Sequence, residues 1–410
     1  MTAFATKAIH GENLRPDAHG ALRPPLFDGV AFEFPDADSI RLAFEGRKPS
    51  HAYTRISNPT VDEFERRVRL LADAFAVVAV SSGMAAISNV LMTLAEAGSN
   101  IVTTNWIFGN TYSLFEDTFK PWGLETRYVN MAKPEEIAAA IDDKTRAIFL
   151  EVITNPQMQV ADIAAITKVA HARGVPVVLD GTVTTPYLFR SKDYGVDVEV
   201  ISSTKYISGG ATTMGGLILD NGIFDWKQTP RLATAARKFG PGALVATLRR
   251  EVFRNTGACL APHNAFLQTL GLETLPLRID RSTANALEVA QWLSHQPQVK
   301  QVNYPGLPSS PAYELAKKQF PKGVGGILTF DLQDRAAAFA LQNALNLIRR
   351  ATNINDNKSL ILHPASTIFC DYNAEEKQAM GVSEAMLRLS VGIEDAADLI
   401  TDLQQGLAVL

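Results

Sequence analysis

From Val61 onward, short apolar runs alternate with amphipathic stretches, and this alternation restricts the fold more than any other feature. Apolar runs bounded by glycine and polar residues are typical of buried strands. The stretches between them carry apolar residues at helical spacing, for example Met84, Ile87, Leu91 and Leu94. Strands and helices in alternation predict an α/β fold with a mainly parallel sheet, covered on both faces. The predicted strands are Phe75–Val80, Asn100–Thr104, Glu125–Val129, Arg146–Val152, Val175–Leu179, Val198–Ser202 and Gly216–Leu219.

Changes in this pattern of predicted strands and helices divide the chain into three parts. Residues 1–57 are rich in Pro, Gly and Asp and lack periodicity, which predicts an irregular N-terminal arm that is either functional or bound to a partner. Residues 58–255 form the predicted large α/β domain, and residues 256–410 the smaller C-terminal α+β domain. Further predicted elements are the helices starting near Gly83 and at Ala161–Arg173, Thr283–His295 and Ala336–Leu347, and the strand Gly326–Leu332.

Composition narrows the class of protein. The 410 residues carry a net charge of -4, so neither nucleic acid nor an anionic membrane is an expected partner. The two cysteines, Cys259 and Cys370, suggest neither a disulfide framework nor a zinc site, and no apolar run has the length of a membrane span. We find no apolar segment typical of a signal peptide near the start of the sequence. A cytoplasmic enzyme is the expectation.

Three polar motifs follow predicted strand ends, where open parallel sheets bind their ligands. They are "SSGMAA" (Ser81–Ala86), the aspartate of "VVLDGT" (Asp180), and "SSTK" (Ser202–Lys205), which precedes a glycine-rich loop. Each has an ordinary explanation when taken alone. The first can be a serine N-cap, the second an aspartate that caps a loop, and the third a surface lysine before a turn.

Taken together, the three motifs favour one cofactor, pyridoxal phosphate. It needs an anion cradle for its phosphate, a carboxylate for its ring nitrogen, and a lysine that attaches to its aldehyde. Ser82 and Gly83 open a helix, where free backbone N–H groups favour a phosphate. The competing nicotinamide and nucleotide sites would need G-x-G-x-x-G or G-x-x-x-x-G-K-[ST], and neither motif occurs in the required position.

The sequence also resembles a known family over nearly its whole length, through "YTRISNPT", "SSGMAA", "DGT", "SSTK" and "MLRLSVGIED". The family is that of the pyridoxal-phosphate enzymes of cysteine and methionine metabolism, which includes cystathionine gamma-synthase, methionine gamma-lyase and O-acetylhomoserine sulfhydrylase. The resemblance implies the fold-type I transferase architecture. It also implies a homotetramer built from dimers that share active sites.

The resemblance assigns the first group of cofactor-binding residues. Tyr53 and Arg55 match residues that reach into the neighbouring subunit and hold the cofactor phosphate. This role would explain the irregular N-terminal arm, which would then be ordered by a partner chain. Ser82, Gly83 and Met84 match the phosphate loop of the family.

The resemblance places the rest of the cofactor site on two motifs. Asp180 would contact the ring nitrogen, with Thr182 as a further cofactor-binding residue. Lys205 would be the Schiff-base lysine, and Ser202 and Thr204 would bind the phosphate. As a free amine, Lys205 would also move protons on the substrate, for which its pKa must fall from about 10.4 toward neutrality.

Two further residues are implied to bind the substrate. Arg388 matches the arginine that grips the substrate carboxylate, a task suited to a bidentate guanidinium. Asn353 and Lys358, in "TNINDNKSLILHPAST", stand where the sulfhydrylases of the family have Asn and Lys, and "GIFDW" (Gly222–Trp226) is also similar to that group.

The sequence departs from the family at several positions. Phe108 replaces the tyrosine that stacks on the cofactor ring, so stacking remains but the phenol is lost. Gly181 replaces an asparagine, and Phe369 replaces a histidine after "HPAST"; "SGGAT" also replaces Gly-His-Gly after the lysine. An acetate leaving group needs no proton, whereas a thiolate gains more from an acid. Phe108 therefore fits an O-acyl-homoserine better than methionine or cystathionine.

The expected reaction is γ-replacement on O-acetyl-L-homoserine with a sulfur nucleophile, which yields acetate and homocysteine or methionine. The nucleophile stays open between sulfide, a small thiol, a sulfur-carrier protein and a carbon nucleophile. The alternative activities are those of a methionine gamma-lyase or a cystathionine gamma-synthase. A non-catalytic binding or regulatory protein is disfavoured because Lys205, Asp180 and Arg388 are all present.

Overall fold

The computed structural model describes residues 3–12 and 19–410. The strands are β1 (Ala76–Val80), β2 (Asn100–Thr103), β3 (Glu125–Tyr128), β4 (Thr145–Glu151), β5 (Val177–Asp180), β6 (Val198–Ile201), β7 (Gly216–Asp220), β8 (Gln301–Asn303), β9 (Ile327–Asp331), β10 (Arg349–Arg350), β11 (Leu360–Leu362) and β12 (Met386–Ser390). The helices are α1 (Phe4–His10), α2 (Ala37–Phe44), α3 (Pro59–Ala72), α4 (Gly83–Leu94), α5 (Gly109–Ser113), α6 (Pro134–Ala140), α7 (Ile163–His171), α8 (Thr185–Leu188), α9 (Ala233–Phe239), α10 (Ala243–Thr247), α11 (Arg254–Thr256), α12 (Pro262–Glu273), α13 (Leu275–Leu293), α14 (Tyr313–Gln319), α15 (Arg335–Ala344), α16 (Ala374–Ala379) and α17 (Ala396–Leu407). Shorter π-helical or 3-10 turns cover Leu114–Phe119, Lys120–Trp122, Ser191–Tyr194, Tyr206–Ser208, Trp226–Gln228, Gly240–Gly242, Leu248–Phe253 and Pro364–Ser366.

The larger sheet has the strand order β1-β7-β6-β5-β4-β2-β3. β7 pairs antiparallel with both β1 and β6, and the other neighbouring pairs are parallel. Between Ile201 and Gly216 the chain returns without the crossover helix that a parallel neighbour would need, so β7 runs antiparallel. The predicted α/β fold with a mainly parallel sheet is confirmed.

Both faces of this sheet are buried under helices, because successive side chains of a strand point to opposite faces. Ile148 of β4 and Val177 of β5 belong to one apolar core, and Phe149 and Val178 belong to another. The predicted strands therefore have the continuous apolar composition expected of a sheet that is covered on both sides.

The smaller sheet has the order β10-β11-β12-β9-β8 and is formed by residues 301–390. The long helix α13 begins at Leu275, so the predicted start at Thr283 is wrong by more than two turns. Its first turns bury Leu275 and Ile279 in the core that also holds α3 residues, while later turns bury Val289 beneath the smaller sheet. The domain boundary at residue 256 stays a prediction. Helix α12 follows this boundary in sequence, yet it packs against α3, which precedes the large sheet.

The N-terminal arm differs from its prediction as an irregular segment, since α1 and α2 lie within it. α1 is held on its own chain: Ala8 is buried beside α3, and Arg67 Nη1 donates to the Ala8 carbonyl at 3.2 Å. Asp36 caps α2 by accepting from the Ser39 N–H. Residues 1–2 and 13–18 of the predicted arm lie outside the described residues.

No helix within residues 3–12 and 19–410 has the length and apolar composition needed to cross a membrane.

Candidate active site

The carboxyl ends of three strands lie at the same edge of the large sheet. β1 and β6 are both antiparallel to β7, and β5 is parallel to β6, so β1, β5 and β6 run in one direction. Their carboxyl ends border a cavity of about 510 Å³. The predicted site residues that line it are Ser82, Gly83, Met84, Phe108, Asp180, Thr182, Ser202, Thr204, Lys205, Asn353 and Arg388.

Tyr53 and Arg55 lie outside this cavity within a single chain. The Tyr53 side chain is 42% exposed, and the Arg55 guanidinium lies 5.6 Å from the Tyr53 ring centroid. Arg55 Nη1 donates to the carbonyl of Arg254 at 2.5 Å. Their predicted cofactor contact therefore stays a prediction that requires a second subunit.

The cradle at the start of α4 depends on close backbone packing. A Cβ at Gly83 would lie 2.6 Å from the Ser202 Cβ, and one at Gly216 would lie 2.0 Å from the Ser82 carbonyl oxygen. Ser82 is also the N-cap, since its Oγ accepts from the Ala85 N–H at 3.0 Å. The N-terminus of a helix favours an anion through its free N–H groups and its dipole. The direct packing of Gly83 on Ser202 thus brings the N-terminus of α4 and the Ser202 side chain together at the cavity, an arrangement suited to a phosphate.

The Ser202–Lys205 segment is fixed by hydrogen bonds on both sides. Thr182 Oγ1 accepts from the Ser202 N–H at 2.8 Å. Thr204 Oγ1 donates to the Gly215 carbonyl and accepts from the Gly215 N–H, both at 3.1 Å. These contacts hold the two hydroxyl-bearing residues at the cavity wall and define the position at which Lys205 enters it.

Asp180 ends β5 as a buried carboxyl group. Burial raises its pKa, while hydrogen bonds from Thr182 oppose this rise; the Thr182 N–H donates to Asp180 Oδ1 at 2.8 Å. A buried carboxylate is stabilised by a protonated partner. A cationic ring nitrogen in the cavity would be such a partner.

Gly181 has a steric explanation. A Cβ at this position would lie 2.0 Å from Glu199 Oε1, so the carboxyl group of Glu199 occupies the space that any larger residue at 181 would need. Glu199 is 1% exposed, and its Oε2 accepts from Ser191 Oγ at 2.6 Å. Burial, opposed by the Ser191 hydrogen bond and assisted by Asp180, raises the pKa of Glu199 to about 8.

Lys205 places its amine inside the cavity. Its Nζ donates to Asn353 Oδ1 at 2.6 Å. Burial, and next the positive charge of Arg388, lower the pKa of Lys205 to about 8, against the opposing charge of Asp356. A lowered pKa increases the neutral fraction of the amine, which is the form that a nucleophilic or basic lysine requires.

Arg388 projects from β12 into the opposite wall of the cavity. Its Nη1 donates to Asn155 Oδ1 at 3.0 Å, and its Nη2 donates to the Thr352 carbonyl at 2.9 Å. Its Nε has no hydrogen-bond partner within residues 3–12 and 19–410, and burial lowers its pKa to about 9. A buried guanidinium held by neutral groups alone is suited to binding a carboxylate.

Glu151 and Asn155 are among the cavity residues that were not predicted as site residues. Glu151 ends β4 and Asn155 follows four residues later, and both line the cavity. Glu151 is paired in register with Asp180, one strand over. A polar residue at the end of an apolar strand is the signal that identified Asp180, and the same signal was present at Glu151.

This geometry agrees with the comparison to known proteins, because the model of the Cys/Met metabolism PLP-dependent enzyme family matches residues 5–408. The chain belongs to this family. It is 39% identical to the L-methionine gamma-lyase of Pseudomonas putida, over 99% of this chain and 98% of that protein.

Two solved structures of the family are similar to this chain. A Campylobacter jejuni protein, provisionally named O-acetylhomoserine (thiol)-lyase, was solved with N'-pyridoxyl-lysine-5'-monophosphate; it is 34% identical with a TM-score of 0.94, covering 99% of this chain and 100% of its own. The O-acetylhomoserine sulfhydrylase of Wolinella succinogenes, described in connection with sulfur transfer in methionine biosynthesis, is 50% identical with a TM-score of 0.77, over 86% and 99%.

Pyridoxal phosphate is the cofactor of this family, and the cavity of this chain fits it. The cradle closed by Gly83 and Ser202 suits the phosphate, and buried Asp180 suits the ring nitrogen. Lys205, with its lowered pKa, suits the aldehyde. The roles of the individual residues remain predictions, while the structure brings all of them except Tyr53 and Arg55 to one cavity.

Proposed function

We propose that this protein replaces the γ-substituent of O-acetyl-L-homoserine with a sulfur nucleophile, releasing acetate and forming homocysteine, or methionine with methanethiol. The observation that carries this proposal is Phe108, which stands in the cavity wall where the family resemblance places a tyrosine. Acetate leaves as a stable anion and does not need the proton of a phenol, whereas a thiolate leaving group gains from one. The names of the Campylobacter and Wolinella relatives support the same substrate.

The residues of the cavity have complementary tasks in this reaction. Arg388 binds the substrate carboxylate through its guanidinium, and the Nζ of Lys205 takes and returns the protons of the α and β carbons. Pyridoxal phosphate, when bound, supplies an electron sink for the negative charge that develops at these carbons. Asp180 holds a proton on the ring nitrogen of the cofactor, and Asn353 orients Lys205 through the 2.6 Å hydrogen bond.

We also propose that the N-terminal arm completes the site of a neighbouring subunit in a homotetramer. Large apolar side chains of the arm are exposed in the single chain, among them Leu22, Val30 and Phe44. Exposed apolar groups of this kind are typical of subunit contacts. Tyr53 and Arg55 at the end of the arm would then contact the cofactor phosphate of that subunit. The free cysteines, Cys259 and Cys370, suit a reducing cytoplasm.

Product analysis tests the proposed reaction. The purified protein with pyridoxal phosphate is incubated with O-acetylhomoserine, with and without sulfide, and acetate, homocysteine, 2-oxobutyrate and ammonia are quantified. Equal amounts of homocysteine and acetate that form only with sulfide are the expected result. Formation of 2-oxobutyrate and ammonia without sulfide would instead identify a γ-lyase. Acetate without homocysteine at any sulfide concentration would rule out sulfide as the nucleophile.

The role of Phe108 is tested by Phe108→Tyr, which restores the phenol without changing the ring. The variant should gain γ-elimination activity on methionine relative to the wild type, because a proton donor then faces the thiolate leaving group. The ratio of kcat/KM for methionine to that for O-acetylhomoserine is the measurement. An unchanged ratio would remove Phe108 as the basis of the substrate assignment.

A further inference from the structure

Glu151 is a buried carboxyl group in the wall of the cavity that the proposed reaction does not use. It ends β4, is 6% exposed, and is paired in register with Asp180 of β5. Burial, and next the charge of Asp180, raise the pKa of Glu151 to about 8. No salt bridge to Glu151 is present in the described part of the chain, so the two backbone N–H groups that donate to it are what stabilise its carboxylate form and oppose this rise in pKa.

The contacts of Glu151 explain why the group is there. Its Oε1 accepts from the Phe108 N–H at 2.6 Å, and its Oε2 accepts from the Asn155 N–H at 2.9 Å. Asn155 Oδ1 in turn accepts from Arg388 Nη1 at 3.0 Å. One carboxyl group therefore joins two walls of the cavity, the aromatic wall at Phe108 and the arginine wall at Arg388.

The geometry points to Glu151 as a positioning residue that fixes the backbone of Phe108 in one wall of the cavity and the Asn155–Arg388 pair in the wall that would receive the substrate carboxylate. The inference rests on the proposed function in one respect, namely that Arg388 binds the carboxylate of an amino-acid substrate. It does not depend on which leaving group or nucleophile the enzyme uses.

The substitution Glu151→Gln separates this role from simple filling of space. A glutamine has nearly the same shape, but only one of its two terminal atoms can accept a hydrogen bond. Either the Phe108 N–H or the Asn155 N–H would then face an amide NH2 group and remain unpaired. Glu199→Gln is the matched control, because Glu199 is also a buried glutamate with a raised pKa, yet it accepts from Ser191 and not from the cavity walls.

The test uses two binding measurements that need no turnover. The first is the dissociation constant of pyridoxal phosphate, and the second is that of L-norleucine, an amino acid with no γ leaving group, titrated by the absorbance of the bound cofactor. For Glu151→Gln, we expect at least one of the two constants to rise about tenfold or more, with altered induced circular dichroism of the cofactor. For Glu199→Gln, we expect both constants to stay within about twofold of the wild type.

A double mutant tests the connection through Asn155. Asn155→Ala removes the acceptor for Arg388 and should weaken norleucine binding, while the Phe108 wall and the cofactor constant stay intact. In Glu151→Gln/Asn155→Ala, the dissociation constant of norleucine should not exceed the larger of the two values found for the single mutants. Both changes break the same chain of contacts, so the second change has nothing further to remove. Multiplied single effects would contradict this connection.

The inference is overturned if Glu151→Gln leaves both constants within about twofold of the wild type, or if Glu199→Gln raises them equally. If the glutamine variant does not fold, Glu151→Asp is measured in the same way, since its shorter side chain cannot reach both N–H groups. If the wild-type protein forms no homocysteine, the proposed reaction is contradicted. The two binding measurements still test the role of Glu151, because neither depends on turnover.

Discussion

The Nζ of Lys205 lies 2.6 Å from Oδ1 of Asn353, so a loop beside the small sheet holds the amine that enters the cavity from the large sheet. The backbone carbonyl of Asn353 also accepts from Arg388 Nη2 at 3.4 Å. The base and the predicted carboxylate-binding group thus share one residue. The two sheets must keep their relative position for the contact between Asn353 and Lys205 to form.

Asn353→Ala should lower kcat on O-acetylhomoserine by about tenfold, because Lys205 loses the acceptor that orients its amine. Asn357→Ala is the control. Asn357 lies in the same loop as Asn353, and its side chain donates to the Gly209 carbonyl at 3.0 Å. It therefore joins this loop to the segment after Lys205 without a hydrogen bond to Lys205 itself. The measurement is kcat of the two variants on O-acetylhomoserine, obtained from steady-state kinetics. Equal losses in both would show that the loop, and not the contact with Lys205, matters.

The lowered pKa of Lys205 predicts how cofactor uptake depends on pH. The value of about 8 means that the amine is mostly protonated below this pH and mostly neutral above it. Only a neutral amine attacks an aldehyde, so the rate of covalent attachment should rise with pH through about 8 and then level off. Stopped-flow absorbance of the cofactor-free protein, mixed with pyridoxal phosphate between about pH 6 and 10, measures it. A midpoint near the ordinary lysine pKa would contradict the burial effect.

Gly181→Asn should destabilise the protein by about 1–3 kcal/mol, because the new side chain and the Glu199 carboxyl would occupy the same space. Glu199→Val in the same chain removes the obstructing carboxyl and should restore most of this loss. Thermal unfolding of the two single variants and the double variant gives the coupling between them. Additive effects would show that the two positions do not compete for space.

The arm prediction is tested by complementation between subunits. Arg55→Ala and Lys205→Ala should each be nearly inactive as homo-oligomers. If Arg55 serves the neighbouring site, mixed dimers contain one site with both residues intact, and a mixture refolded together should recover about one quarter of wild-type activity. Activity of the mixture is measured against each variant refolded alone. No recovery would mean that Arg55 acts within its own chain.

The chemistry of the large sheet was accessible from the sequence because strand ends are local features. Asp180 and Lys205 each follow a continuous apolar strand, and strands of one direction bring such ends together whatever the intervening helices do. Glu151 also ends an apolar strand, so its place at the cavity follows from the same reasoning, whereas its contacts do not. Its importance lies in two backbone N–H donors, one of them 43 residues distant in sequence, and no pattern of side chains encodes that contact.

Long-range packing also decided the elements that were predicted incorrectly. The first turns of α13 precede the predicted start at Thr283, and Leu275 and Ile279 in these turns are buried in the core that also holds α3 residues. The same holds for α1, whose carbonyl groups accept from Arg67 of α3. α1 has seven residues, and a helix of this length is marginal in isolation, so it depends on these tertiary contacts.

The position of Lys205 at the centre of the site is the claim on which the rest depends, and peptide mapping tests it most directly. The protein with bound pyridoxal phosphate is reduced with borohydride, digested and analysed by mass spectrometry. We predict that a single peptide carries the reduced cofactor, that the modified residue is Lys205, and that Lys205→Ala yields no modified peptide. Modification of another lysine in the wild type, at equal or greater yield, would contradict the account.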